Sequence, residues 1–129
     1  MSDLRQRGVE IVLDGVERHF LFTLNAIDEV QSHYEMTVME ALGKLFEPAE
    51  QVEALRFFVM TLINDEIERE KHKNPDNYLP AVTERETGWM IGMDNIDEVT
   101  KAILEAYHIS VPEPEEEDDP NQKSEQQSS

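Results

Sequence analysis

The chain has 129 residues, with 29 acidic against 11 basic side chains, a net charge of -18 and no cysteine. That length suits one domain around one modest core, and the charge repels phosphate backbones and anionic membrane faces while favouring basic or polar protein partners. Without thiols, disulfides, zinc ribbons and thiol catalysis are excluded; no apolar run approaches the roughly 18 residues of a membrane span, and Met1 to Gly8 is polar. The expectation is a cytoplasmic protein with neither a nucleic-acid nor a membrane partner.

Residues 1–6 read as a flexible start. Val9, Ile11 and Leu13 alternate with polar positions up to Asp14-Gly15, and Val16, Arg18, Phe20, Phe22 and Leu24 continue the alternation beyond it. Asp-Gly between two such runs signals a β-hairpin, because a type I′ turn needs positive φ at both central residues. A two-residue loop pairs Leu13 with Val16, Ile11 with Arg18 and Val9 with Phe20. Apart from Arg18, that face is apolar, and it must lie on helices, since an isolated hairpin is marginal in water. The other face carries Glu10 opposite His19.

Asn25 is placed to cap a helix, with Asp28 and Glu29 in its first turn and Ile27, Val30 and Tyr34 on one face. Thr37 and Glu40 have capping-box spacing before Met39, Leu42 and Phe46, and Gly43 ends or weakens that helix. Pro48 to Lys73 is the longest periodic stretch, about 39 Å if wholly helical. Val52, Leu55, Val59, Leu62, Ile63 and Ile67 form its apolar stripe. Pro48 suits its first turn, and the charged run Asp65 to Lys73 is expected to stand in solvent, so that Leu55→Asp should unfold the domain and Glu68→Ala be silent. Asn74-Pro75-Asp76-Asn77 ends this helix. Thr83 with Glu86 opens a short helix carrying Trp89, Met90 and Ile91 and stopping near Gly92. Asn95 with Glu98 opens the last, striped by Ile96, Val99, Ile103 and Tyr107. Beyond Pro112 the chain is almost entirely acidic and polar, so 111–129 should be disordered. The fold expected is α+β, mostly α, with the hairpin packed on about four to five helices within residues 7–110.

No constellation nominates a reaction. Glu29 and His33 share an i,i+4 spacing that suits a solvated pair better than a metal. Asp65, Glu66, Glu68 and Glu70 are interleaved with Arg69, Lys71 and Lys73 as on an exposed helix face, rather than converging as general acid–base chemistry requires. Asp94, Asp97 and Glu98 lack the order of a calcium loop, and no phosphate-binding or hydrolase motif occurs. Neither catalytic, cofactor nor metal residues are therefore assigned. Phe57, Phe58 and Met60 fall off the stripe of the long helix, and Trp89, Met90 and Met93 cluster at a junction. These six are the candidate partner-binding residues, with ordinary core packing as the competing role; methionine suits such a surface because its unbranched chain adapts.

The order of features carries a resemblance. A short start with two arginines precedes the hairpin Val-Glu-Ile-Val-Leu-Asp-Gly-Val-Glu-Arg-His-Phe-Leu-Phe-Thr-Leu. Asn-Ala-Ile-Asp-Glu-Val-Gln then opens a helical body, and a charged tail follows. Over about residues 7 to 110 this resembles the tail assembly chaperones of long-tailed, siphovirus-type bacteriophages. The resemblance implies a non-enzymatic factor in the host bacterial cytoplasm that binds the tape measure protein, keeps its long hydrophobic helices soluble and recruits tail-tube subunits. Members are often made in two forms by a translational frameshift, and the acidic end fits the shorter one. Homo-oligomerisation is left open. From charge alone a second function follows, an acidic decoy that occupies a nucleic-acid-binding protein; it requires carboxylates arrayed on one folded face.

Overall fold

The computed structural model describes residues 8–110, and the expectations for residues 1–6 and 111–129 lie outside them. Strands β1 (Val9–Leu13) and β2 (Val16–Phe20) form an antiparallel hairpin. It is followed by α1 (Leu24–Tyr34), α2 (Val38–Leu42), a 3₁₀ turn (Gly43–Phe46), α3 (Gln51–Lys73), α4 (Glu84–Met90) and α5 (Ile96–Ser110). The fold is α+β and mostly α, with five α-helices among the described residues.

The hairpin register is as the turn dictates: Val9 faces Phe20, Ile11 faces Arg18 and Leu13 faces Val16, with Glu10 opposite His19. Asp14 and Gly15 have φ of 54° and 78°, the left-handed pair of a type I′ turn. Ile11, Leu13, Phe20 and Phe22 are buried, but Leu24 is exposed. The alternation stops there because Thr23 caps α1, so Leu24 is its first residue. Asn25 is not the cap. The Thr23 hydroxyl accepts from Ala26 N (3.1 Å) and donates to Asp65 Oδ2 (2.9 Å), which fixes the helix start by a contact 42 residues away. Asp28 and Glu29 accordingly fall beyond the first turn.

Both predicted capping boxes at Thr37–Glu40 and Thr83–Glu86 form. Gly43 ends α2, which tightens into the 3₁₀ turn. Pro48 sits ahead of α3 instead of inside it: Glu50 N and Gln51 N both donate to Glu47 O, making a turn in which proline takes the second position. Asn95 precedes α5 as expected, although its side chain turns back to the preceding loop.

Helix α3 is the centre of the molecule. It packs against β2, α1, the 3₁₀ turn and α4, while α5 packs on the hairpin, chiefly β1, and also touches α3. Being surrounded, α3 buries more than one stripe: Phe57, Phe58 and Thr61 are buried together with Leu55, Val59, Leu62 and Ile63, whereas Val52 is exposed. Nor does its charged half stand wholly in solvent. Asp65 and Ile67 are buried and Glu66 is half-buried, because the hairpin docks over this end. Glu66 accepts from both His19 N (2.9 Å) and His19 Nδ1 (2.6 Å). Asp65 is held by Thr23 and by Arg69 Nε at 3.1 Å. Arg18, charged but 7% exposed, lines a small cleft together with Glu66 and Glu70, and its buried Nε has no hydrogen-bond partner among the described residues.

Candidate partner-binding surface

The six candidate partner residues divide into two groups. Phe57 and Phe58 belong to the core, which corrects their assignment to a partner surface. The His33 ring stacks on Phe57 with centroids 3.8 Å apart, and Tyr34 meets it edge-on at 5.5 Å. Phe58 is fully buried between Phe22 and Tyr34. Falling off one stripe does not expose a residue on a helix that is covered from several directions. Met60 and Met90 are half-buried against the same core. Trp89 and Met93, in contrast, are 71% and 88% exposed.

Trp89 follows Gly88 in sequence, and Met93 and Gly88 both line an apolar cleft between the start of α3 and the segment joining α4 to α5. Its walls include Val52, Leu55, Arg56, Ile91, Met93 and Ile96, and its volume is about 320 Å³. Local chemistry holds it open. Thr83 and Glu86 exchange backbone and side-chain hydrogen bonds at the start of α4. The buried Thr87 hydroxyl lies 2.6 Å from Glu84 O and 3.2 Å from Arg56 O, tying α4 to α3. Gly88 lets the Arg56 stem pass, since a Cβ there would lie 3.1 Å from Arg56 Cδ. After Met90 the backbone becomes extended at Ile91. Asn95 then closes the loop by accepting from Gly92 N (2.8 Å) and donating to Met90 O (3.0 Å), leaving Met93 at its exposed tip.

The cleft is poor in polar chemistry. Arg56 is its one charged wall residue, with Nε 3.7 Å from Glu84 Oε2. Trp89 carries the Arg85 guanidinium 5.8 Å from its ring centroid. Such a surface excludes water from an apolar partner but offers no converging acid, base or nucleophile.

Elsewhere, Glu10, Glu17 and His19 bring three potential metal-ligand atoms within 4.8 Å of one another on the outer face of the hairpin. The cross-strand pairing of Glu10 with His19 was readable; the diagonal approach of Glu17 was not. Both ring nitrogens of His19 are engaged, Nε2 with Glu17 at 3.2 Å and Nδ1 with Glu66 at 2.6 Å. The Glu17 carboxyl is held below its ordinary range chiefly by its hydrogen bond with Glu10, with His19 adding to the effect. These groups are therefore arranged to satisfy one another. His33 likewise bonds Glu53 on α3 at 2.9 Å rather than pairing with Glu29, and Tyr34 donates to the other Glu53 oxygen at 2.7 Å. Burial, followed by that carboxylate, pushes the Tyr34 phenol well above its usual range.

Among the described residues no helix is long and apolar enough to cross a membrane. No protein-family model, curated protein or solved structure matches the chain, so the cleft and its neighbours stand on their own geometry.

Proposed function

We propose that this protein is an assembly chaperone of the kind used by long-tailed bacteriophages. It acts without catalysis in the host cytoplasm, binding the tape measure protein, keeping its hydrophobic helices soluble and recruiting tail-tube subunits. The observation that carries this reading is the pairing of a solvent-open apolar cleft, lined by exposed Met93 and Val52, with an otherwise strongly acidic chain. An adaptor needs an apolar seat for its client and enough net charge to keep the complex in solution. The hairpin-plus-helices layout supports the same reading.

The decoy reading is less well supported. It needs carboxylates concentrated on one face, whereas exposed ones occur on the hairpin (Glu10, Glu17), α1 (Asp28, Glu29), α3 (Glu68, Glu70) and α5 (Asp97, Glu105) alike.

Co-expression with a phage tape measure protein tests the proposal. The expected result is a rise in the soluble fraction of the tape measure protein and its co-purification with this chain. Neither solubilisation nor co-purification would refute the chaperone role.

A further inference from the structure

We infer that the cleft between α3 and the Ile91–Ile96 segment seats an amphipathic helix of another protein, one whose apolar ridge is flanked by lysine or arginine. The inference rests on reading the chain as a binding adaptor, and it adds the place of binding and the charge pattern of the client.

Shape sets the first constraint. A helix with its side chains is about 10–12 Å across, too wide for a cleft of about 320 Å³. Only a ridge of i, i+3, i+4 side chains enters, and the helix flanks lie over the rim. Apolar walls from Val52, Leu55, Ile91 and Ile96 suit leucine-like side chains, and exposed Met93 can adjust to their packing.

Charge sets the second. Asp94 Oδ1 lies 2.9 Å from where a Cβ on Gly92 of the cleft wall would stand, and exposed Asp97 follows Ile96, so carboxylates adjoin the apolar strip. Basic flanks would be attracted to them, and acidic flanks repelled.

Other occupants fit less well. A small molecule would need several converging polar groups, and the charged side chain in the walls, Arg56, is already beside Glu84. The chain's own ends lack the apolar side chains: after Val111 the sequence to Ser129 has only polar residues and prolines, and residues 1–7 offer just Met1 and Leu4. A second copy would bring another -18 charges to the same rim.

Trp89 is the only tryptophan, is exposed and follows Gly88 of the cleft wall in sequence, so its emission is the probe for a helix seated there. The full chain is titrated with a synthetic Leu/Lys amphipathic peptide of roughly four helical turns, with a scrambled Leu/Lys peptide of equal charge, and with a Leu/Glu peptide of the same pattern. Calorimetry gives affinity and Trp89 emission gives location. Expected are a blue shift with the Leu/Lys helix and at least about tenfold weaker binding of the other two peptides. Met93→Asp and Val52→Asp, both at exposed positions, should keep the wild-type circular dichroism and weaken binding by a similar factor. The inference is overturned by equal binding of the scrambled or Leu/Glu peptide, by binding without a Trp89 shift, by variants that bind as well as wild type, or by a shift on concentrating the protein alone. Co-expression separates it from the broader reading. If wild type and Met93→Asp solubilise the tape measure protein equally, the adaptor role stands and the cleft assignment falls. If wild type fails, the chaperone role falls while the peptide titration still decides the cleft.

Discussion

Glu66 on α3 accepts two hydrogen bonds from His19 on β2, one from the backbone N–H at 2.9 Å and one from the ring Nδ1 at 2.6 Å. One carboxylate thus satisfies an outward-pointing strand amide and ties the hairpin to the central helix. Glu66→Ala should cost about 1–3 kcal/mol, the scale for leaving a half-buried donor without its acceptor. Glu66→Gln keeps an oxygen for the amide and should lose less. Urea midpoints measure both; two unchanged midpoints would mean that the hairpin docks by its apolar face alone.

The connection from α3 to α4 has a comparable clasp. Asn64 Nδ2 donates to Val82 O at 2.9 Å, and its Oδ1 accepts from Val82 N at 2.8 Å, imitating one rung of a β-ladder. Residues 71–81 are exposed throughout, so this amide is a main tether for the segment. Asn64→Ala should increase protease cleavage and hydrogen exchange between Asn74 and Val82 while leaving the α5 amides protected. Asn64→Asp loses the donor to Val82 O and should fall between the two. Uniform loss of protection along the chain would show that the clasp supports the whole fold rather than one segment.

Features fixed by neighbours in sequence were legible, and those fixed across the fold were not. Asp14-Gly15 sets the hairpin register by itself, and the capping boxes at Thr37 and Thr83 close within three residues. Thr23 displaces Asn25 as a cap only because Asp65 lies against it from another helix. Asp65 and Glu66 read as part of a solvated run until the hairpin covers them, whereas Ile67 is buried as its place on the stripe predicts. Phe57 and Phe58 take the core role rather than the partner role for the related reason that a single stripe presumes one covered side, and α3 has several. The exposure of Trp89 and Met93 could be anticipated as a cluster but not established, since their surroundings depend on how Asn95 closes the loop.

The Glu29 carboxyl is raised above its ordinary value of 4.5, first by burial and then by the carboxylates of Glu68, Asp65 and Asp28. Its stabilising contribution is therefore fully present below the unfolded value, where the group is protonated in both states, and is lost as pH rises through the folded one. At neutral pH the ionised group opposes folding. Glu29→Gln should raise thermal stability at pH 7, by about a few tenths of a kcal/mol given its exposure, and should have no effect well below pH 4.5. Added salt should shrink the gain by screening the like charges. Thermal melts across pH and ionic strength decide it, and a gain that persists in acid would assign the effect to packing instead.

Phe58 and Trp89 provide the sharpest contrast between core and surface. Phe58 has no exposed area and packs against Phe22 and Tyr34, each with ring centroids 6.1 Å away. Phe58→Ala opens a cavity at the centre of the molecule and should cost about 3–5 kcal/mol, enough to unfold a marginal domain. Trp89 is 71% exposed, and its ring faces the Arg85 guanidinium 5.8 Å from the centroid. Trp89→Ala should change stability by less than about 0.5 kcal/mol and diminish whatever apolar partner binding the cleft supports. Denaturant titration of both variants checks the division. A Trp89→Ala loss approaching that of Phe58→Ala would place the tryptophan in the core.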